Sequence, residues 1–156
     1  MRQSVDLVNQ IGSAAPDDVI ESIHAVMHLF RSQQYRALRG GPHEMTHMDA
    51  RVLGFFARHP GATQSELAAH SGRDKGQLAR LIGGLKERGL LQAQPDESDR
   101  RSLHLSLTAQ GRAVHQGLQR RARRLADIAV AGLSDDERAQ VVTLLRRIGA
   151  NLEHED

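Results

Sequence analysis

Cationic and amide side chains recur along one short segment of the chain. Arg73, Lys75, Gln77 and Arg80 follow one another there, with Asp74 in position to cap a helix. In the major groove of DNA, arginine and lysine pair with guanine and glutamine pairs with adenine, whereas the same side chains on phosphate fix only the register. The segment is therefore predicted to be a DNA recognition helix. Which of its members read bases and which bind phosphate stays open.

A second cationic site is the pair Arg100 and Arg101, at the end of the polar stretch Pro-Asp-Glu-Ser-Asp-Arg-Arg. An arginine at the tip of such a loop can enter the minor groove of DNA, where A·T tracts concentrate negative potential. The other arginine can instead form an ion pair with Asp96 or Asp99 and stiffen the loop. The residues alone leave open which arginine takes which role. They predict a neutralised, structured tip in place of a flexible basic arm.

The segment from His43 to His47 reads His-Glu-x-x-His, the pattern in which two histidines bind zinc and the glutamate activates water in metalloproteases. That chemistry requires both histidines on one helix, one turn apart. The breakers Gly40 to Pro42 stand directly before the pattern, and Thr46 is the expected N-cap of the following helix. His43 is therefore expected outside the helix, and a zinc protease is rejected.

The same histidines suggest a metal-responsive regulator as an alternative. His24 and His28 lie one turn apart on the predicted first helix, and His43 and His47 stand near the start of the second. Because histidine is often only a partly exposed helix residue, no metal or other cofactor is assigned, and a zinc- or nickel-responsive regulator is kept as an alternative. A DNA-binding protein without an effector is another. The chain has no cysteine, which excludes Cys-ligated zinc and a thiol switch.

The composition of the 156-residue chain limits its partners. There are 21 Lys and Arg against 19 Asp and Glu, so any basic surface must be local. Aromatic residues make up 3% of the chain and Trp is absent, which disfavours stacking surfaces for single-stranded nucleic acid. No apolar run reaches the ~18 residues of a membrane span and no signal pattern opens the chain, so a cytoplasmic protein without membrane contact is expected. No local motif supports serine, histidine and acid catalysis, so an enzyme is not expected.

Capping residues and apolar spacing predict the elements that position these side chains. Thr46 with Asp49 starts a helix that stops at His59, and Thr63 with Glu66 starts a short helix that ends at a Ser-Gly turn. The next segment buries a stripe of leucine and isoleucine. Two short helices joined by a tight turn indicate a helix-turn-helix. The start of its first helix adds three weaker phosphate-contact candidates: Thr63, Gln64 and Ser65.

After Leu90 the apolar period changes to two. Strands are predicted at residues 91–94 and 102–107, and the polar loop between them is too long for a tight hairpin and therefore projects as a β-wing. Thr108 then caps a long helix that runs to about Ala131. Between Ala109 and Ala126 this helix carries five arginines and no acid, which suits a polyanion partner and equally a solvated face.

Two outer helices complete the prediction. The first is capped by Asp18 with Glu21 and ends near Arg39, and the last is capped by Ser134 with Glu137. Both carry apolar residues at helical spacing, and such a seam usually meets another helix. The apolar positions are Ile20, Ile23, Met27 and Phe30 in the first helix and Val141, Leu145, Ile148 and Leu152 in the last.

The predicted fold is mainly α with a small β-wing (α+β). The winged helix-turn-helix occupies residues 46–108, and helical regions occupy residues 17–45 and 109–156. Residues 1–16 form a breaker-rich lead-in that is either disordered or packed on a partner subunit.

Two stretches of this chain resemble the MarR family of bacterial winged helix-turn-helix transcription regulators. PDESDRRSLHLSLTAQGR, residues 95–112, looks like the family's wing and the helix start after it, and ATQSELAAHSGRDKGQLARLIGGLKERGLL, residues 62–91, is similar to its helix-turn-helix. The resemblance implies a homodimer built from the N- and C-terminal dimerisation helices. It implies a repressor that binds a pseudo-palindromic operator in double-stranded DNA. It also favours Arg100 for the minor groove and Arg101 for bracing the wing.

The resemblance further implies a small-molecule effector in the cleft between the dimer helices and the DNA-binding lobe. An effector that changes the spacing of the two recognition helices lowers operator affinity without unfolding the protein. Arginine and histidine in such a cleft suit an aromatic or phenolic acid. Phe30 and Met48 have core packing as their alternative role. The full set of effector candidates is His24, His28, Phe30, His47, Met48 and Arg51.

Overall fold

The computed structural model describes residues 13–39 and 44–154. The lead-in up to residue 12, the breakers Gly40 to Pro42 and His43 lie outside the described residues. The mainly α fold with a small β-wing is confirmed. Its elements in chain order are α1 (Pro16–Arg39), α2 (His47–Arg58), α3 (Gln64–Ser71), α4 (Lys75–Glu87), β1 (Leu91–Pro95), β2 (Leu103–Leu107), α5 (Ala109–Ala129) and α6 (Asp135–Glu153).

Reciprocal capping boxes start three of the helices where the sequence predicted them. At α2, α3 and α6 the N-cap hydroxyl accepts from the backbone N–H three residues on, and the acid at that position accepts from the N-cap backbone N–H. These bonds satisfy donors that a helix N-terminus otherwise leaves without partners. The residue pairs are Thr46 with Asp49, Thr63 with Glu66, and Ser134 with Glu137.

The start of α1 differs from the prediction. The helix begins at Pro16, two residues before the expected cap, and the Asp18 carboxylate accepts from the Ala15 backbone N–H at 2.9 Å. Asp18 is therefore the third residue of the helix, and its carboxylate reaches back to the residue before the helix. Proline suits the first helical position because its fixed φ is helical and its missing N–H would have no partner there.

The buried core lies in the winged helix-turn-helix and not in the outer helices. Phe56 and Leu53 of α2 meet Leu78 and Leu85 of α4, all of them fully buried, and α1 contributes only Leu38. The winged helix-turn-helix therefore folds around its own core. The complete core is Leu38, Met45, Val52, Leu53, Phe55, Phe56, Leu67, Leu78, Ile82, Leu85, Leu90, Leu91, Leu105 and Leu107.

The wing is an antiparallel pair that is tied to the helix-turn-helix at its base. β1 and β2 pair from Leu91 opposite Leu107 to Pro95 opposite Leu103, so Pro95, which was predicted to open the loop, ends the strand instead. A short bridge joins β2 to the loop between α2 and α3, because Gly61 N–H donates to Leu105 O and Leu105 N–H donates to Ala62 O, both at 2.9 Å. The wing is thereby anchored next to the start of α3.

The joint between the wing and α5 is unusually close. The Thr108 hydroxyl donates to Gly89 O at 2.6 Å and accepts from Gly111 N–H at 3.0 Å. A Cβ added to Gly111 would lie 2.0 Å from Leu90 O, a separation that atoms cannot adopt. Glycine at this position therefore permits α5 to pack directly on the backbone that enters the wing.

Candidate nucleic-acid interface

The predicted recognition helix is α4, and it presents one apolar and one polar face. Asp74 caps it by accepting from Gln77 N–H at 3.2 Å, and Leu78, Ile82 and Leu85 face the core. The polar face follows from the same 3.6-residue period. All four predicted recognition residues are exposed at the surface: Arg73, Lys75, Gln77 and Arg80.

The short helix α3 fixes the position of α4 through a side-chain bond. Gln64 Nε2 donates to Lys75 O at 3.2 Å, across the turn that Gly72 closes at a left-handed φ of 61°. The Thr63 hydroxyl accepts from Glu66 N–H at 3.3 Å, whereas Ser65 is exposed. Two of the three weaker phosphate-contact candidates thus have structural bonds of their own, and their contact with phosphate stays a prediction.

A cleft of about 530 Å³ lies between α3, α4 and the wing. It brings together residues that the sequence could only place on separate elements. Its cationic members are Lys75 and Lys86 of α4 and Arg101 of the wing, and Arg100 is exposed but does not line it. The remaining predicted residues on its lining are Thr63, Gln64, Ser65 and Asp99.

The predicted ion pair between Arg101 and Asp96 or Asp99 is wrong. Asp99 accepts from the Arg101 backbone N–H at 3.0 Å, and Asp96 accepts from the Ser98 backbone N–H and hydroxyl, each at 2.8 Å. Within the described residues no carboxylate lies within ion-pair distance of the Arg101 guanidinium. Local turn bonds satisfy these acids without ordering a long side chain. Both aspartates therefore stabilise the wing, but with different partners from those predicted.

His104 is a wing residue that sequence reasoning missed. It lies on β2, where its Nε2 is 2.9 Å from Asp96 Oδ2 and its Nδ1 is 2.7 Å from Gly61 O. The hydrogen bond that the ring makes to Asp96, and then the one to Gly61 O, raise the pKa of His104. Hydrogen bonds donated by Ser98 and His104 hold the pKa of Asp96 well below its usual range. The available signal was a histidine on the polar face of a strand beside an acidic loop.

A second, larger cleft of about 720 Å³ lies between the end of α1, α2 and α5. Its walls combine apolar side chains such as Phe55 and Leu118 with many cationic or titratable groups, and none of the described residues on its lining is Asp or Glu. Such a cleft suits an anion with an apolar body. The basic lining residues are Arg51, Arg58, Arg73, Arg121 and Arg124, with His47, His70 and His115.

The α5 side of this cleft is held by specific contacts. Arg121 Nη1 donates to Ala37 O at 3.0 Å, which ties α5 to the end of α1. His115 is half-buried, and burial first and Arg58 second lower the pKa of its ring. The ring faces Gly54 of α2, where a Cβ would lie 3.8 Å from it. A neutral imidazole therefore stands among the arginines of the cleft.

A sequence model described as the MarR family matches residues 43–102, the segment that holds α2, α3, α4 and most of the wing. Over this segment the chain is similar to the MarR family. Relatives and solved structures of the same type extend over most of the chain. This family consists of DNA-binding transcription regulators and not of enzymes.

Two curated relatives illustrate this similarity. The HTH-type transcriptional regulator YybA of Bacillus subtilis (strain 168) is 30% identical over 97 residues, which is 62% of this chain and 65% of the relative, just under two thirds of its length. The HTH-type transcriptional repressor NicR of Pseudomonas putida is 28% identical over 138 residues, which is 85% of each chain.

A solved structure supports the fold of the whole chain. Streptococcus pneumoniae FabT, crystallised in complex with DNA, superposes with a TM-score of 0.78 at 20% identity. The match covers 90% of this chain and 99% of FabT. The shared fold therefore extends through the outer helices as well as the winged helix-turn-helix.

The cleft beside α2 contains half of the predicted effector residues. His47, Met48 and Arg51 line it, but His24, His28 and Phe30 do not, because α1 reaches the cleft only from Gln33 onward. The sequence also missed Arg58, His70 and the α5 residues of the cleft, although the arginine run on α5 was the signal for two of them. Placing them required knowing that α5 folds back against α2.

The histidines bear on two predictions about metals, the zinc-protease pattern at residues 43–47 and the metal-responsive alternative. Because Thr46 is the N-cap, α2 begins at His47 and Glu44 lies before that helix, so Glu44 and His47 do not share a helix as the zinc-protease pattern requires. Across residues 13–39 and 44–154, no three or more His, Asp or Glu side chains form a group that could hold a metal ion. His24 and His28 are exposed on α1.

No helix within residues 13–39 and 44–154 is long and apolar enough to cross a membrane.

Proposed function

We propose that this MarR-family chain is a sequence-specific, double-stranded DNA-binding transcription regulator that acts as a homodimer. The observation that carries the proposal is the cationic surface shared by α4 and the wing. Lys75 and Arg101 line one cleft, and Arg80 and Arg100 are exposed on the same two elements. The complex of FabT with DNA supports the proposal, because that protein shares the fold.

The recognition helix enters the major groove with its N-terminal half. Lys75, Gln77 and Arg80 occupy the first two turns of α4, where side chains of a docked helix reach base edges. The wing lies beside the groove and directs its arginines at the adjacent backbone or minor groove. Residues 46–108 form the DNA-binding domain in this proposal.

The dimer is formed by the outer helices, residues 17–45 and 109–156. α1 and α6 expose large apolar side chains in the single chain, among them Leu29 at 64% and Leu152 at 65%. Covering such surface stabilises an assembly by about 25 cal/mol per Å² of apolar area removed from water. A two-fold dimer presents two copies of α4 to a pseudo-palindromic operator, one helical turn apart.

The effector is an aromatic or phenolic acid that binds the larger cleft and releases a repressor from DNA. Arg51 and Arg58 pair with its carboxylate, and Phe55 with the apolar α5 residues receives its ring. Arg73, in the turn before α4, also lines the cleft, so ligand binding bears directly on the recognition helix. The repressor role draws support from the name of NicR.

Binding of the chain to its own upstream intergenic DNA tests the DNA-binding half. Anisotropy titrations at about 50 mM and about 200 mM salt should show sequence-specific binding whose affinity falls steeply with salt. Arg80→Ala should weaken binding, uniformly across sequences for a phosphate contact or at one position for a base contact. Arg147→Ala on α6 removes the same charge elsewhere and should leave affinity nearly unchanged. Absence of specific retention at either salt contradicts the proposal.

Displacement from that DNA tests the effector half. 4-Hydroxybenzoate should lower operator affinity, and its neutral amide should not, because only the acid pairs with the arginines. Arg51→Ala should remove the response while DNA binding persists. If neither compound acts, the effector proposal is wrong and DNA binding stands without it. Loss of DNA binding with a chelator would favour the metal-responsive alternative.

A further inference from the structure

The imidazole of His104 makes two contacts that a neutral ring cannot satisfy together. Its Nδ1 lies 2.7 Å from Gly61 O and its Nε2 lies 2.9 Å from Asp96 Oδ2. Both partners are hydrogen-bond acceptors, and a neutral imidazole carries only one N–H, with a lone pair on the other nitrogen. Only the protonated ring donates to both. The geometry itself therefore selects the imidazolium.

The two contacts join three parts of the DNA-binding lobe. His104 lies on β2, Asp96 lies in the wing loop, and Gly61 lies in the loop between α2 and α3. The Asp96 carboxylate also accepts both bonds from Ser98, so the ring reaches the folded tip of the wing. The imidazolium thus ties the tip of the wing to the segment that leads into the helix-turn-helix.

We propose that His104 is a positioning residue that clamps the wing in its DNA-binding orientation only while its ring is protonated, so that operator affinity falls as pH rises. The charged groups that face the ring are both acids, Asp96 of the wing loop and Glu66 of α3. Loss of the proton leaves a lone pair against an acceptor oxygen. The wing tip then loosens, and DNA binding must order it again.

The effect on DNA rests on the function proposed above, but the clamp itself does not. Ring-nitrogen NMR of His104 across about pH 5.5 to about pH 8.5 measures its protonation without DNA. The expected result is a doubly protonated ring at about pH 6 with a pKa above the ordinary value. A ring that is neutral at about pH 6 overturns the clamp whatever the DNA results are.

Operator affinity over the same pH range at constant ionic strength tests the consequence. The unmodified chain should bind about threefold to tenfold more weakly at about pH 8.5 than at about pH 6, the range that one hydrogen bond represents. His104→Gln should remove most of this pH dependence. His59→Gln, a titratable residue outside the clamp, should preserve it. Retention of the full pH dependence in His104→Gln overturns the proposal.

Two wing variants with the same change of charge sharpen the test. Asp96→Asn removes the carboxylate that faces the ring, so the affinity midpoint and the ring pKa should both move to lower pH. Asp99→Asn removes only an acceptor for the Arg101 backbone N–H and should leave both midpoints in place. Equal shifts in the two variants overturn the specific role of Asp96. If the ring titrates as expected but neither the parent chain nor any variant binds DNA, the proposed function is wrong and the clamp is supported.

Discussion

Among the glycines that the structure describes, Gly111 has the strictest steric requirement. Its missing Cβ permits α5 to contact Leu90 O, which a side chain would approach to 2.0 Å. A backbone oxygen cannot move aside as the end of a flexible side chain can. The position therefore tests the joint between the wing and α5 directly.

Gly111→Ala should lower the free energy of unfolding by about 3 kcal/mol, as overpacking against backbone does. Urea unfolding followed by circular dichroism measures the change. Gly117→Ala is the matched control on the same helix, because its Cβ would meet only the Arg120 guanidinium at 3.9 Å. That variant should gain roughly 0.5 to 1 kcal/mol from helix propensity. A Gly111→Ala protein as stable as the parent would contradict the close contact.

Asp49 combines two structural roles in one buried carboxylate. It accepts from the Thr46 backbone N–H at 3.0 Å and pairs with Arg88 Nη2 at 3.1 Å, while its residue is only 5% exposed. Arg88 also donates to Glu44 O at 3.0 Å, so the pair joins the end of α4 to the segment before α2. The cap and the ion pair thus hold the end of α4 against the start of α2.

Asp49→Ala should cost about 2 to 3 kcal/mol of unfolding free energy, because it removes a cap and leaves a half-buried guanidinium without its carboxylate. Thermal and urea unfolding give the value. The control is Asp135→Ala, which removes an exposed carboxylate paired with Arg138 on α6. Exposed pairs contribute about 0 to 1 kcal/mol. Similar losses in both variants would show that burial of Asp49 does not matter.

Two histidines give the stability of the protein opposite responses to pH. The pKa of His104 is raised in the folded state, so its contribution is present below about pH 6.5, the unfolded value, and is lost as pH rises through the folded pKa. The pKa of His115 is lowered by burial and by Arg58, so the folded state loses stability as pH falls below about 6.5.

Melting temperatures at about pH 5.5, about pH 7 and about pH 8.5 measure these responses. His115→Gln should reduce the loss of stability on acidification, and His104→Gln should reduce the loss on the alkaline side. Each variant serves as the control for the other. If both variants change the same side of the pH profile, the assignment of the two signs is wrong.

At the scale of elements, local chemistry is what the sequence predicts well. The capping boxes at Thr46, Thr63 and Ser134 each depend on two residues three positions apart. The helices α2, α3 and α6 start where those residues predict. The error at α1 is also local, since Pro16 and Asp18 both favour a helix start and differ by two positions. The wing's partners could not be predicted because His104 meets Gly61, 43 residues away.

The two wing arginines differ in where they lie. Arg101 lines the cleft with α3 and α4, whereas Arg100 is exposed outside it. Under the proposed function, Arg100→Ala should weaken binding by about tenfold and mainly on operators with A·T-rich flanks. Arg101→Ala should weaken binding on all sequences alike, as a phosphate contact does. Anisotropy with flank-substituted duplexes measures both, and identical profiles would contradict the division.

At the scale of the whole molecule, the outer helices lack the cover that their sequences require. Within residues 135–153, no residue of α6 is buried, and Val141, Leu144 and Leu145 are each 45% or more exposed. The apolar period of α6 was visible in the sequence. What it meets could not be read from one chain, because a partner copy leaves no separate trace in the sequence.

Leu145→Glu should therefore dissociate the proposed dimer, because it places a charge in an apolar interface. Analytical ultracentrifugation should shift from dimer to monomer, and operator affinity should fall as the two half-sites lose their linkage. Gln140→Glu introduces the same charge on a polar position of α6 and should remain dimeric. A dimeric Leu145→Glu protein, or a monomeric parent chain, would contradict this interface.

The larger cleft, between α1, α2 and α5, shows the limit of sequence reasoning at this scale. His47, Met48 and Arg51 follow one another on α2 and were predicted together, but the opposite wall comes from α5, more than sixty residues later. Bringing Arg58 and His115 together depends on the packing of α5 on α2. His24 and His28 share the helix that reaches the cleft, but lie too early along it.

The contact between Gly111 and Leu90 also fixes a point about which α5 can tilt. α5 has 21 residues, so at 1.5 Å per residue it is about 31 Å long, and its N-terminal end rests on the wing backbone. A tilt of about 5° at this pivot would displace the far end of α5 by about 3 Å. The contact at one glycine therefore couples a small change of tilt beside the wing to a larger displacement at the far end of α5.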